Sequence, residues 1–546
     1  MKKILAVTLI MSSLFMSSCS QPTPEFEVKL LEDNTYEIVT LKNGEKVKDL
    51  NIPDTIDGIK VTSIGYDAFK NFEKIENVTL PSNLKIIKPS AFYGCSSIKE
   101  ITLPSSVEKL DYYSFAYCTS LTTFNFNEGL LSIGENAFQS CIELTNLDFP
   151  DSLVKIGMDA FLTCNKLYEF DASSMEEKIV AIDGWIIDAF RPNENLVIEE
   201  GIVGIAGSVF AGNVREVTLP NSLKYIGSYC FADSEILECV NFGSGLISIG
   251  EYAFRDCEEL TEIHIPNNMP WYNVEIENIE ASPFTCAYDV YYGEEIWSKL
   301  EIPEGVKEIQ SYAFANLVTL TEIKFPSTIE CIKETAFFNK PLLKVVEIPT
   351  LNDWLEIDFK DEYSNPLDES GLYVNDKLVT TVEFDKSNIE VKPYVFNGYD
   401  CLVKVILNDM ITKINDGAFS GCINLDSINA NNIKYIGNYA FRNTGFPGID
   451  INDNIEYIGE GAFSYCENVR YVVIGENVKF IGRYAFDVLK NIESYTFKKK
   501  EGWYVTLDEN ATEGKPIDIK EEGYYLFVSS ISGQDNPYFG YYWKNN

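Results

Sequence analysis

The feature that most constrains this chain is a step of fixed length. Phe69, Phe92, Phe115, Phe138 and Phe161 stand 23 residues apart, and the same step links Phe231 to Phe254, Phe314 to Phe337 and Phe396 to Phe419. Phe441, Phe463 and Phe486 continue at 22 or 23. A motif copied this often is a rung of a ladder rather than an active site, and a period of roughly 20–50 residues marks a stacked repeat. A 23-residue unit loses on the order of 23–46 kcal/mol of backbone entropy on ordering. A buried Phe returns only about 1.5–3 kcal/mol. One unit therefore cannot stand alone, and its inward side chains need a neighbour above and below.

Residues 144–164, LTNLDFPDSLVKIGMDAFLTC, show the unit clearly. Leu147 and Phe149 alternate with Asp148, which predicts a short strand with its apolar side inward. Pro150 cannot donate to a strand ladder and marks the strand's end. Leu153 and Ile156 add to the core, Gly157 suggests a turn, and MDAF predicts one helical or 3-10 turn with Ala160 and Phe161 packed inward. Stacked units would bring Phe92, Phe115, Phe138 and Phe161 into one column and Cys95, Cys118, Cys141 and Cys164 into another. The expected fold is a solenoid with one short parallel strand per ~23-residue coil and helical or 3-10 turns opposite.

Twelve cysteines lie beyond Cys19, and seven of them follow a Phe by three residues. An exported chain invites a disulfide reading. Equivalent cysteines on neighbouring coils would instead stand about 4.8 Å apart with parallel Cβ vectors. A disulfide needs Cβ atoms about 3.5–4.5 Å apart and aimed at each other. The expectation is a column of small buried thiols. Without a close CxxC pair or an HExxH, no metal site is expected.

The repeat motifs resemble the leucine-rich repeats of the BspA-like bacterial surface proteins: the IP or LP after the strand, the IG, the AF and the Cys recur together over about residues 28–497. The resemblance implies a surface protein that adheres to or interacts with proteins of a host or neighbouring cell, and no nucleophile, base or metal constellation in the sequence points to catalysis. Residues 26–69 also resemble that family's usual start, and 28–64 would form an N-terminal cap. The solenoid would run over 65–497, with longer modules near 165–210, 258–314 and 341–396, and residues 498–546 would form an aromatic-rich C-terminal cap.

The two later modules look like copies, MPWYNVEI (269–276) matching NDWLEIDF (352–359), and EGWYVTLDE (501–509) resembles the start of a third. Trp271, Trp354 and Trp503 could fill gaps where a loop rejoins the core, or could face a ligand. The tail, with Tyr542 and Trp543, could cap the last coil or present its rings to a glycan.

At the N-terminus, Lys2 and Lys3 precede a short apolar run (4–16) that ends in MSSC. The run is too short for an ordinary membrane span. MSSC resembles a bacterial lipobox, which implies a signal peptide over 1–18, a lipid on Cys19 and a tether over 19–27. The expected location is the outer surface of a bacterial envelope, with membrane contact through lipid only.

The formal charge of −39 repels nucleic acid and favours cations or basic partners. The one histidine, His264, falls at an outward strand position and is a poor basis for a triad. No cofactor motif is present. The expected binding surface is the outward strand row: Thr79, Thr102, Asn125, Asp148, Thr218, Asn241, His264, Lys324 and Glu347. Glycan capture is the alternative function. A polysaccharide hydrolase would need a carboxylate pair that the sequence does not single out.

Overall fold

The structure is a computed structural model, and it describes residues 25–42, 46–168, 178–212, 214–527 and 536–545. The expected signal peptide and Cys19 lie outside the described residues, as do the first residues of the tether. The chain divides into two compact units. One holds the described residues up to Pro270 together with Val274–Glu294, and the other holds Trp271–Asn273 together with the residues from Glu295 onward.

In the first unit the hairpin Glu25–Leu30/Tyr36–Lys42 opens a ladder. Tyr36–Lys42 pairs in parallel with Ile59–Ile64, and the ladder continues through Ile86–Ile87, Lys109–Leu110, Ser132–Ile133 and Lys155–Ile156. These two-residue strands end on the Ile of the IG, as at Ile133 and Ile156, or on the residue at that place, as at Ile87 and Leu110. Each regular coil thus carries a second strand besides the one expected: Glu100–Thr102 pairs with Thr123–Asn125, while Lys109–Leu110 pairs with Ser132–Ile133. Further on, Lys178–Ile182 and Trp185–Phe190 form a second hairpin. Two parallel ladders lie beyond it: Trp185–Phe190 to Glu275–Ile276, and Asn195–Val197 to Asp289–Tyr292. The second unit repeats the scheme. Its last inner strand, Phe480–Ile481, is covered by the antiparallel strand Tyr542–Asn545, which also pairs with Trp503–Thr506.

A third ladder explains the Ala-Phe pair. The N–H of Phe92 donates to the Ser114 carbonyl at 2.8 Å, and Phe115 and Phe138 donate to Ala137 and Ala160 at 2.8 and 2.7 Å. Each Phe backbone therefore bonds to the residue before the next Phe. The rings stack in consequence: Phe92–Phe115 at 5.1 Å, Phe115–Phe138 at 5.8 Å and Phe138–Phe161 at 5.3 Å, with interplanar angles of 8° or less. Such contacts add about 0.5–1.5 kcal/mol beyond area burial.

This corner is not a helical turn. Residues on both sides of each Phe adopt the left-handed region, for example Tyr113 (φ 55°) and Tyr117 (φ 60°) around Phe115, and Asp159 (φ 54°) and Thr163 (φ 61°) around Phe161. Few of these positions are glycine, so the corner stores strain that the stacked rings and ladder bonds offset.

Gly157 also plays a different part from the turn expected of it. A Cβ there would lie 2.5 Å from the backbone N of Glu135 in the coil before, and Gly227 would meet Ala206 and Gly207 in the same way. The glycine lets consecutive coils approach.

The thiols are buried and free, as Cys95, Cys118, Cys141 and Cys164 illustrate. Each donates its S–H to a Phe carbonyl in the preceding coil: Phe69, Phe92, Phe115 and Phe138, at 3.0–3.3 Å. Cys257, Cys422 and Cys466 do the same with Phe231, Phe396 and Phe441, each at 3.1 Å. The sulfur acts as a donor that ties one coil to the last.

Candidate functional site

The outward strand positions form rows because the parallel register holds across neighbouring coils. In the first unit Thr218, Asn241, His264 and Tyr291 are successive register partners. Asn125 pairs with Thr102 in one short ladder and Thr79 with Asn51 in another. In the second unit Glu301, Lys324, Glu347 and Tyr373 succeed one another.

The polar groups of a row bond to one another. Asn125 Nδ2 donates to Thr102 Oγ1 at 2.9 Å and to Glu100 at 3.0 Å. Asn241 Nδ2 donates to Glu216 at 3.3 Å. Lys299 pairs with Glu322 at 2.7 Å. His264 Nε2 lies 2.8 Å from Glu262, and its ring stacks on Tyr291 at 4.7 Å and 4°.

The strand expected at Asp148 is reduced. The segment around it makes only a single bridge, Thr123 to Asn146, and no strand. The Phe149 N–H donates to the Asp183 carboxylate at 3.0 Å instead of to a ladder. The residues one 23-residue step beyond Asp148 lie outside the described residues, and Asp183, which receives the Phe149 N–H, stands between the two strands of the Lys178–Ile182/Trp185–Phe190 hairpin. Asp148 is exposed, and the bridge between Thr123 and Asn146 keeps the 23-residue step that sets it level with Asn125.

The tryptophans are not surface contacts. Trp271, Trp354, Trp503 and Trp543 are 0–3% exposed. Trp271 Nε1 donates to the Ala313 carbonyl at 2.7 Å, and Trp354 Nε1 to the Val395 carbonyl at 2.8 Å. Ala313 precedes Phe314 and Val395 precedes Phe396, so each indole takes the donor role that a Phe backbone fills in a regular coil. The two long modules are alike in this respect, and each also carries a helical turn, Trp271–Asn273 or Leu351–Leu355. The resemblance at EGWYVTLDE does not extend that far: Trp503 lies in a strand and donates to the Lys499 carbonyl at 3.0 Å. Tyr542 is half-buried, with the Arg483 guanidinium 4.5 Å from its ring centroid.

Sequence reading missed several members of these surfaces. Tyr291 and Tyr373 end their rows inside the long modules, where the period gives no guide. Cys239 and Glu262 are register partners, and their 23-residue spacing was a usable signal. Cys239, Glu262 and His264 place their ligand atoms within 4.8 Å of one another.

On the corner side of the second unit lies a polar groove of about 550 Å³, lined among others by Lys340, Asp368, Asn397, Arg442, Asn443 and Tyr465. Burial lowers the Lys340 ammonium pKa, while Asp368 and Glu369 act in the opposite sense. The Arg442 guanidinium lies 5.2 Å from the Tyr465 ring centroid.

Stacked coils with paired ladders, inward rings and thiols, and outward polar rows define a leucine-rich-repeat solenoid. The chain belongs to the family described as BspA type leucine rich repeat region, whose model matches residues 39–172, 190–287, 285–359 and 370–512. Among solved structures, the chain is similar to a leucine rich cell surface protein from Faecalibacterium prausnitzii A2-165. The two are 19% identical over 88% of this chain and 96% of that one, with a TM-score of 0.24. A leucine-rich repeat protein from Bacteroides ovatus is 17% identical over 86% and 88%, with a TM-score of 0.21. The pneumococcal vaccine antigen PcpA is 18% identical over 89% and 99%, with a TM-score of 0.24. No curated protein matches the chain. No helix among the described residues is long and apolar enough to cross a membrane.

Proposed function

We propose that this chain is a non-catalytic surface lipoprotein, anchored through Cys19, whose strand face binds proteins of a host or neighbouring cell. The observation that carries this reading is the set of in-register polar rows, Thr218–Asn241–His264–Tyr291 and Glu301–Lys324–Glu347–Tyr373. A hydrogen-bonded ladder fixes the spacing of these side chains at about 4.8 Å per strand, and their chemistry varies from rung to rung. Such a surface suits an extended partner better than a small substrate. The net charge of −39 favours a basic partner surface. Membership of the BspA type family supports the reading. The chain has one histidine, and it is engaged by Glu262 and Tyr291.

The test is capture of immobilised matrix and cell-surface proteins by the purified chain, compared with Asn241→Arg and Lys324→Glu. The reading expects capture that weakens with salt and falls in at least one variant. Capture that neither variant alters refutes the strand face as the binding surface. Retention of the protein in the membrane fraction, and its loss from that fraction in Cys19→Ala, tests the anchor.

The groove beside Arg442 and Tyr465 favours a second reading, glycan capture, because amide side chains and an aromatic ring share one concave polar surface. Glycan-array binding that Tyr465→Ala abolishes would support it over protein capture. The buried tryptophans offer it no support.

A further inference from the structure

Cys239, Glu262 and His264 belong to two neighbouring strands, Cys239–Asn241 and Glu262–Ile265. Cys239 and Glu262 are direct register partners, and His264 is two residues beyond Glu262, so all three side chains leave the same face of the sheet. Their Sγ, Oε and ring nitrogen lie within 4.8 Å of one another, and Glu262 and His264 already touch at 2.8 Å. All three are half-buried. The ring of His264 is held flat against Tyr291, which limits its rotation. On the other side of Cys239, its register partner Glu216 accepts a hydrogen bond from Asn241 Nδ2, and the same Nδ2 lies 3.7 Å from the sulfur.

We propose that Cys239, Glu262 and His264 form a binding site for a divalent transition-metal ion of the zinc class, with three protein ligands and a fourth position left for water or an outside donor. The donor set of thiolate, imidazole and carboxylate is the one such ions prefer, and calcium or magnesium would take oxygen donors only. Tetrahedral zinc separates its ligand atoms by about 3.3–3.5 Å, given metal–sulfur and metal–nitrogen or metal–oxygen bonds of about 2.3 and 2.0 Å. Closing the trio from 4.8 Å to that spacing takes side-chain rotation of about 1 Å, with no change in the strand register. The hydrogen bond between Glu262 and His264 gives way to two metal bonds.

The thiol is the costly ligand. Burial, followed by the charges of Glu262 and Glu216, pushes Cys239 up to about 11. Metal binding therefore breaks the S–H bond, forms the metal–sulfur bond and releases one proton to solvent. The two carboxylates, which add to burial in disfavouring the thiolate of the free protein, become attractive once a dication is present. The remaining cysteines of the repeat lack this arrangement: Cys118 and Cys141 are fully buried and face Phe carbonyls.

The experiment titrates the reduced full-length protein with Co²⁺ and then displaces it with Zn²⁺. The expected result is one equivalent of Co²⁺ bearing the near-ultraviolet thiolate-to-cobalt charge-transfer band, lost on adding Zn²⁺. Cys239→Ser should abolish the band. His264→Gln and Glu262→Gln should each weaken binding by about tenfold or more. Unchanged far-ultraviolet circular dichroism would confirm that these strand-face variants fold. Absence of the band from the wild-type protein overturns the proposal, as does a band that persists in Cys239→Ser.

Discussion

Replacing Trp271 by Phe should destabilise its unit by ~2–4 kcal/mol, and the reason lies in one carbonyl. Trp271 is 1% exposed and its indole N–H donates to Ala313 O at 2.7 Å. Among the described residues no backbone N–H reaches that oxygen. Phenylalanine keeps an aromatic ring but leaves a cavity worth ~1 kcal/mol and an unsatisfied buried acceptor worth ~1–3 kcal/mol. Trp354→Phe is the internal control. Its acceptor, Val395 O, also receives Asn365 Nδ2 at 3.0 Å, so only the ring volume is lost. The cost there should be ~1–2 kcal/mol. Urea unfolding followed by circular dichroism, with slopes compared between variants, gives the difference. Hydrogen exchange across the coil around Phe314 locates it. If the two variants lose the same stability, or Trp354→Phe loses more, the idea that an indole stands in for a backbone donor is wrong.

Gly157→Ala should cost ~1–3 kcal/mol, because its Cβ would meet backbone atoms 2.5–2.9 Å away that cannot rotate aside; a thermal midpoint equal to wild type would refute this. Asp188→Asn should raise stability near neutral pH. Burial, helped slightly by Asp159, holds the Asp188 carboxyl above its ordinary 3.8. The folded pKa exceeds the unfolded one, so the contribution of Asp188 is fully present below about pH 4 and is lost as pH rises through the raised value. Asparagine keeps an acceptor for the Ala189 N–H, now 2.8 Å from the carboxylate, and removes the charge. Urea midpoints should therefore rise at about pH 7.5 and change less at about pH 4, and the opposite ordering would sink the assignment. Burial also pushes the thiols of Cys118, Cys141 and Cys164 up, to about 12 for Cys164. The half-buried Cys239, Cys286, Cys331 and Cys401 are raised too, so access decides the order: iodoacetamide at mildly alkaline pH should label these four slowly in the native protein and reach the fully buried thiols only after unfolding, as peptide mass spectrometry would record.

Much of the fold was legible because it is local. The alternation in LTNLDF and the recurrence of Phe and Cys name the inward side chains, and Phe92, Phe115, Phe138 and Phe161 are buried and stacked accordingly. The surface was legible only where the period is unbroken. Thr218, Asn241 and His264 fall on one row, whereas the segment of Asp148 forms a single bridge, Thr123 to Asn146, and no strand. The second strand of each coil was missed because two residues, such as Lys109–Leu110, are too few to display a period of their own. The left-handed corners were missed because tyrosine, aspartate and threonine occupy them where glycine would have been the signal.

By itself the sequence determined the period, the side of each coil that must be buried and the need for many coils, since all three depend on spacing along the chain. Only the tertiary structure decided which groups meet between coils: the indole of Trp271 with a carbonyl 42 residues on, Cys239 with Glu262 and His264, and Gly157 with the backbone beside it. Those meetings depend on how one coil registers against the next. That register is set by ladder hydrogen bonds between backbone groups, which every residue other than proline can supply, so it leaves little trace in the identity of the residues it joins.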